Sequence, residues 1–260
     1  MGSGIITLTT DFGYRDAYVG VMKGVILGIN PEATIVDISH DIEPQNVFEA
    51  AYLIRTAYSC FPPDAIHVVI VDPGVGSNRK AIIVRTPRAY FVAPDNGVLS
   101  YVVDDMLEAI DITNPDFWLH PLSTTFHGRD IFAPVAAHLS VGISAKDFGE
   151  EISSLVELPA LESEKLAEGT VVGRIIHIDR FGNLITSIKH NDLPAGDVYI
   201  EVKGYTIEGL SPSYVEGEGV LALIGSDGYL EISVPNGNAS DFLKIVSGDL
   251  VKVGSTRPNT

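Results

Sequence analysis

A chain of 260 residues with a formal net charge of −17 is long enough to bury a large core in one or two domains, and its acidity argues against nucleic acid or an anionic membrane as partner. Cys60 is its only cysteine, which leaves no disulfide framework and fits a reducing cytoplasm. No apolar run approaches the ~18 residues of a membrane span, and no signal peptide is visible; Met1-Gly2-Ser3-Gly4 reads as an expression scar or a frayed terminus.

In chain order, Ile5-Ile6-Thr7-Leu8-Thr9-Thr10 predicts a strand from its β-branched content, closed by Asp11-Phe12-Gly13. Tyr18 to Ile29 reads as a helix with Val19, Met22, Val25, Ile26 and Ile29 on one face, stopped by Pro31. Thr34 to Ile38 is the next strand, and a second helix starts at Phe48 and ends before Pro62-Pro63. Val68-Val69-Ile70-Val71 is a short β-branched run that predicts a buried strand. It ends in Asp72, and Pro73-Gly74-Val75-Gly76 then breaks regular structure. A carboxylate at the carboxyl end of a buried strand sits on the rim where open α/β sheets bind ligands. Arg79 is close enough to fold back over that loop. The alternative is an Asp that only caps a turn, beside a solvated arginine.

Strands follow at Ala81–Arg85 and Tyr90–Ala93, then the turn Pro94-Asp95-Asn96-Gly97. A polar loop, Ser123 to Asp130, precedes a helical segment from Phe132 to Leu139. Strands alternating with helices predict a mostly parallel sheet with right-handed crossovers over residues 1–155. Leu155 to Glu168 reads as a connector. From Gly169 to the end the pattern changes to short strands between turn signals: Val171–Ile178, Leu184–Ile188, Val198–Val202, Tyr205–Ile207, Val220–Ile224, Tyr229–Val234 and Leu250–Lys252. That predicts a small all-β, barrel-like domain over residues 169–260. The turn Asp179-Arg180-Phe181-Gly182-Asn183 carries more chemistry than a hairpin needs, although a plain turn would also use such residues.

The candidate constellation is therefore Asp11, Asp72, Arg79, Asn96, His127 and Asn183. No two of these have the close spacing of a dedicated metal motif, so no metal is expected. His40, His67, His120, His138, His177 and His190 stand alone and read as structural. A Gly-x-Ser-x-Gly elbow is absent, and Gly74-Val75-Gly76 lacks both the third glycine of a dinucleotide fingerprint and the Lys-Ser/Thr of a phosphate loop.

Six motifs in this order resemble those of the S-adenosylmethionine hydroxide adenosyltransferases, the S-adenosyl-L-methionine hydrolases that form adenosine. They are Thr9-Thr10-Asp11-Phe12-Gly13, Met22-Lys23-Gly24, Val71-Asp72-Pro73-Gly74-Val75-Gly76, Pro94-Asp95-Asn96-Gly97, Phe126-His127-Gly128-Arg129-Asp130 and Phe181-Gly182-Asn183. The resemblance implies hydrolysis of S-adenosylmethionine to adenosine and methionine without metal or cofactor, by a homotrimer with active sites at subunit interfaces. It implies a catalytic triad of Asp72, Arg79 and His127, a ribose-binding Asp11, and substrate contacts from Asn96, Phe126, Asn183, Ser226 and the Asn236 backbone. The related fluorinases and chlorinases carry a Tyr where this chain has Asp72, and a Thr and a Ser where it has Val75 and Gly128. They also carry an extra loop that is absent here, and the fluorinase has an Arg where this chain has Asp227. A carboxylate at the nucleophile site would repel halide, so water is the expected nucleophile. Full prior proton transfer from water (pKa ~15.7) to a carboxyl of ordinary pKa ~4 would cost roughly 16 kcal/mol. Proton loss is therefore expected to be concerted with attack, with either Asp72 or His127 as acceptor. A halide-using relative, or a non-catalytic adenosine or S-adenosylmethionine binding protein, are the alternatives.

Overall fold

In the computed structural model, which describes residues 4–216 and 219–255, the β-branched run at the start forms β1, Ile5–Thr10, an inner strand of the first unit's sheet. Residues 1–3, where a terminal scar was expected, lie outside the described residues. The chain divides into two units, Met1–Pro159 and Ala160–Thr260, described separately below.

In the first unit α1 (Tyr18–Ile29) follows β1 and buries Val19, Met22 and Ile26. Then come β2 (Thr34–Ser39), α2 (Val47–Ala57) and β3 (Ala65–Ile70). The side chain of Asn46 caps α2 by accepting from the Glu49 N–H. β4 (Ala81–Arg85), β5 (Ala89–Pro94) and β6 (Glu108–Ile112) follow, then α3 (Ala133–Ser140) and the short β7 (Gly149–Glu151). The sheet order is β2-β1-β3-β5-β4-β6-β7. The pairs from β2 to β5 are parallel, as crossovers through α1 and α2 require.

The other half turns antiparallel. β4 and β5 are joined by a tight turn in which the Thr86 N–H donates to the Ala89 carbonyl, and so short a connection can only produce an antiparallel pair. β6 is antiparallel to β4 and so runs with the parallel strands, which keeps the sheet mostly parallel. β6 and β7 escape the sequence pattern because one alternates weakly and the other has only three residues.

β3 is buried along its whole length because both faces are covered. On one side Ile66, Val68 and Ile70 pack with Met22 and Ile26 of α1 and with α3; on the other Val69 and Val71 pack with Ala50 and Ile54 of α2. His67 is fully buried in β3, bonded to Thr7 at 2.8 Å and stacked on Phe91, and burial drives its pKa down to about 4. It is a neutral core histidine.

The second unit contains β8 (Glu164–Lys165), β9 (Val171–Ile178), β10 (Leu184–Lys189), β11 (Tyr199–Val202), β12 (Tyr205–Glu208), β13 (Leu221–Ile224), β14 (Tyr229–Ser233) and β15 (Leu250–Gly254). All pairings are antiparallel, in the order β12-β11-β15-β9-β10-β14-β13, and the edge strands β12 and β13 approach each other to leave a nearly closed barrel. Its core is aliphatic: Val171, Leu184, Ile200, Leu230, Ile232 and Val251. A short helix, α4 (Ala239–Leu243), goes beyond the all-β expectation; Asn238 caps it by accepting from Asp241.

The loop after β3 closes against the loop before α3 at Gly76. Its φ is +77°, and a Cβ there would run into the Thr124 carbonyl oxygen. Gly76→Ala should therefore combine a left-handed penalty of about 1–2 kcal/mol with a clash. Thermal unfolding should fall by several degrees without loss of secondary structure. An unchanged midpoint would show that the two loops do not meet as described.

Candidate active site

The register β1–β3 pairs Thr10 with Ile70, so the chain leaves both strands at the same edge. Asp11 and Asp72, far apart in sequence, are brought to one rim. Both line a cavity of about 400 Å³, together with His127, Gln45 and the rings of Phe12, Tyr18 and Phe126.

Asp72 is held by the turn that follows it. The Val75 N–H donates to the Asp72 carbonyl, and both the N–H and Oγ of Ser77 donate to the Gly74 carbonyl. This reverses the chain and returns Arg79 over the carboxylate. Arg79 Nε lies 3.0 Å from each Asp72 oxygen, and Nη2 donates to Oδ2 at 2.5 Å. The same Nη2 reaches His127 Nδ1 at 2.8 Å. The Arg79 and Asp72 side chains are only 10% and 6% exposed, and the guanidinium lies 5.3 Å from the Phe132 ring centroid. A buried pair of this kind is tolerated because each charge is answered by hydrogen bonds.

A guanidinium has five donors and no acceptor, so Nδ1 of His127 must accept. That makes His127 a neutral imidazole with its proton on Nε2. The surroundings agree: burial first, then the charge of Arg79, lower its pKa below the ordinary histidine value, against weaker opposing contributions from Asp72, Asp130 and a hydrogen bond to the Ser123 backbone. Nδ1 is thus occupied. Oδ2 of Asp72 takes two guanidinium contacts and Oδ1 only one, so the carboxylate retains room to accept another proton donor.

His127 is placed by a buried carboxylate the sequence reading did not single out. Asp130 is 1% exposed; it accepts from the Ser123 N–H at 2.8 Å and from Arg129 Nε at 2.6 Å. Residues 128–132, directly after His127 and including Asp130, form a single π-helical turn leading into α3. Such turns recur at functional sites.

Asp11 accepts from the Gln45 N–H at 2.8 Å. Gln45 has φ +68°, rare for a residue with a side chain, and it lines the cavity. Nothing in the sequence marks it, since glutamine has no preference for that conformation. Phe12, in the turn after β1, and Tyr18, at the start of α1, also face the cavity. Behind Asp11, Thr10 bonds His40 at 2.7 Å, and the Gly13 N–H donates to the His40 carbonyl, fixing the loop.

Asn96 follows β5 but is not among the cavity-lining residues. Its Nδ2 donates to the Val71 carbonyl at 2.8 Å and its Oδ1 accepts from Val98, so it braces the strand end that carries Asp72. In the second unit, Asn183 donates from Nδ2 to Asp179 Oδ2 at 2.8 Å, and Asp179 Oδ1 accepts from the N–H groups of both Phe181 and Asn183. Ser226 lies in the tight turn between β13 and β14, and Asn236, with φ +55°, follows β14. Among the described residues no group of three or more His, Cys, Asp or Glu converges as a metal site, and no helix is long and apolar enough to cross a membrane.

Residues 6–149 match the SAM hydroxide adenosyltransferase N-terminal domain, and residues 173–252 match the C-terminal domain of the same family. The chain is 39% identical to an (R)-S-adenosyl-L-methionine hydrolase of Methanocaldococcus jannaschii, over 96% of this chain and 95% of that one. It is 35% identical to a hydrolase of the same name from Thermus thermophilus, over 94% and 97%. A fluorinase of Nocardia brasiliensis is more distant, 28% identical over 88% and 89%. Among solved structures, a conserved protein of Thermotoga maritima superposes with a TM-score of 0.89 at 37% identity, covering 95% of this chain and 99% of that one.

The tautomer of His127 is directly measurable. Its pKa lies below the ordinary 6.5, so the neutral form should persist as pH falls past that value. Nitrogen-15 spectra should show the proton on Nε2 at neutral pH and a titration midpoint below that of a free histidine. In Arg79→Gln the midpoint should move up, because a neighbouring positive charge is lost. An Nδ1-protonated ring, or a midpoint above 6.5, would contradict the geometry.

Proposed function

The chain belongs to the SAM hydroxide adenosyltransferase family, and from that premise we propose that it hydrolyses S-adenosyl-L-methionine to adenosine and methionine. The observation that carries this reading is the carboxylate–guanidinium–imidazole chain of Asp72, Arg79 and His127 on the wall of a cavity that also holds Asp11. The configuration in the relatives' name supports the (R) sulfonium as the preferred epimer.

The overall change is sulfonium plus water to adenosine, methionine and one proton. Water attacks the ribose 5′ carbon as the carbon–sulfur bond breaks on the opposite side, and the electron pair of that bond stays on sulfur. Of the two proton acceptors the sequence left open, Asp72 fits better. His127 spends Nδ1 on Arg79 and carries its proton on Nε2, whereas Oδ1 of Asp72 has capacity left. The transfer is concerted with attack, since full prior transfer is too costly. Arg79, buried beside the water position, stabilises developing hydroxide, and its effect is larger in a site from which bulk water is excluded. His127 restrains the guanidinium. Asp11, its orientation fixed by Gln45, accepts the ribose hydroxyls. Phe126 walls the cavity, and Asn96 acts from behind by holding Val71.

The finer assignments rest on the family resemblance. Asn183, Ser226 and the Asn236 backbone contact the methionine and adenine ends. The enzyme is a cytoplasmic homotrimer that needs no metal or cofactor, and it pairs the α/β domain of one subunit with the β domain of the next at each site. Nucleic acid and membrane are not partners. A halide-using enzyme is the second reading, raised by the fluorinase relatives; the carboxylate of Asp72 at the nucleophile position disfavours it.

Incubation of the protein with each sulfonium epimer over a range of chloride and fluoride concentrations separates these readings. Adenosine and methionine should form in equal amounts, faster from the (R) epimer, at a rate indifferent to halide. A 5′-halo-nucleoside as product would support the second reading. Asp72→Asn keeps the shape of the side chain but removes the acceptor, so turnover should fall by at least ~10²-fold while substrate still binds. Near-normal turnover would remove Asp72 from the mechanism.

A further inference from the structure

The cavity has a feature the triad does not use. Three aromatic rings stand together on its wall, mutually inclined. Tyr18 and Phe126 have centroids 5.0 Å apart at 83°, Phe12 and Tyr18 5.6 Å at 52°, and Phe12 and Phe126 6.0 Å at 76°. All three line the cavity, yet Tyr18 is 47% exposed, which is high for a large ring on a helix whose neighbours Val19 and Met22 are buried. In an edge-to-face pair the ring that supplies the edge keeps both faces free of its partner, and the other keeps one. One face of Phe126 is taken by the Arg129 guanidinium, 5.4 Å from the centroid, so the exposed ring of Tyr18 offers the freest face.

The charges around the cavity leave a problem that these rings can solve. Asp72 is paired with Arg79, so the triad is close to neutral, and the guanidinium beside it repels a cation. Asp11 is the other carboxylate on the wall, and the proposed reading commits it to the ribose. A substrate bearing a sulfonium therefore meets no unpaired anion at its charged centre. Aromatic faces carry partial negative charge and bind compact, weakly hydrated onium cations.

We infer that Phe12, Tyr18 and Phe126 form an aromatic cage for the sulfonium, with Tyr18 as its anchor, and that the cage recognises the charge rather than the shape of the substrate. This rests on the reading of the cavity as a site of sulfonium hydrolysis. It also has a consequence for turnover. As the carbon–sulfur bond breaks, the positive charge leaves sulfur, and the methionine formed is a neutral thioether there. The cage thus holds the ground state more tightly than the transition state or the product. Its loss should appear in KM and leave kcat unchanged or slightly raised.

The test keeps the ring and changes only its electrostatics. In the full-length protein Tyr18 is replaced by Phe, then by 4-fluoro-, 3,5-difluoro- and 3,4,5-trifluorophenylalanine, each step withdrawing charge from the ring face at nearly constant size. KM and kcat are measured for the sulfonium, and the inhibition constant for S-adenosyl-L-homocysteine, the neutral thioether that differs only by the methyl group on sulfur. KM should climb stepwise with fluorine number, by about threefold to tenfold at the trifluoro ring, while kcat does not fall and the inhibition constant for the thioether stays within twofold. An equal rise in KM and in the thioether constant would make Tyr18 a packing residue and overturn the cage, as would a flat KM across the series. Those outcomes, with an active wild type, leave the hydrolase reading intact; a wild type that releases no adenosine overturns that reading and the cage with it.

Discussion

One guanidinium group governs the site. Arg79 donates to both Asp72 and His127 through the same Nη2, so a single cation fixes the orientation of a carboxylate and the tautomer of an imidazole. This works because Arg79 and Asp72 are almost wholly withdrawn from water. In a solvated loop the pair would be worth little and would not hold one geometry. Burial raises the cost of leaving either charge alone, and so makes the arrangement stiff. A near-neutral triad also suits a cationic substrate, since a net positive wall would exclude it.

The rest of the first unit can be understood as the frame that delivers this contact. Parallel pairing of β1 and β3 sets Asp11 and Asp72 at one edge, because parallel strands end on the same side. The turn from Pro73 to Ser77 brings Arg79 back, and the close approach at Gly76 sets the loop before α3 against it. Asp130, almost fully buried, then fixes Ser123 and with it the position of His127. Asn96 secures the strand end from the opposite side. Asn96 spends its polar atoms on backbone groups, and Asp130 on a backbone N–H and the neighbouring Arg129, whereas Asp72 keeps capacity on one oxygen.

Much of this was legible in the sequence. β-branched runs located β1 and β9, and hydrophobic spacing located α1 with the bounds observed. Strand-end acids followed by glycine turns marked Asp11 and Asp72. What was not legible depends on geometry that no local pattern encodes. The antiparallel half of the sheet follows from a turn at Thr86 too short for a crossover, and β7 is too short to have a period. Asn96 sits on a strand-end turn, and its bond to the Val71 carbonyl is a tertiary contact that no local pattern encodes. Gln45 reaches the cavity through a left-handed backbone conformation that its residue type does not favour. Tyr18 carries the pattern of an ordinary helix start, and its packing on Phe126 is a tertiary fact.

The mechanism turns on attack of water at the ribose 5′ carbon in line with the departing sulfur. It is tested most directly by hydrolysing (R)-S-adenosyl-L-methionine, stereospecifically deuterated at that carbon, in oxygen-18 water. One heavy oxygen should appear in the 5′-hydroxyl of adenosine and none in methionine, with inverted configuration at the labelled carbon. Retained configuration, or adenosine without the label, would contradict it.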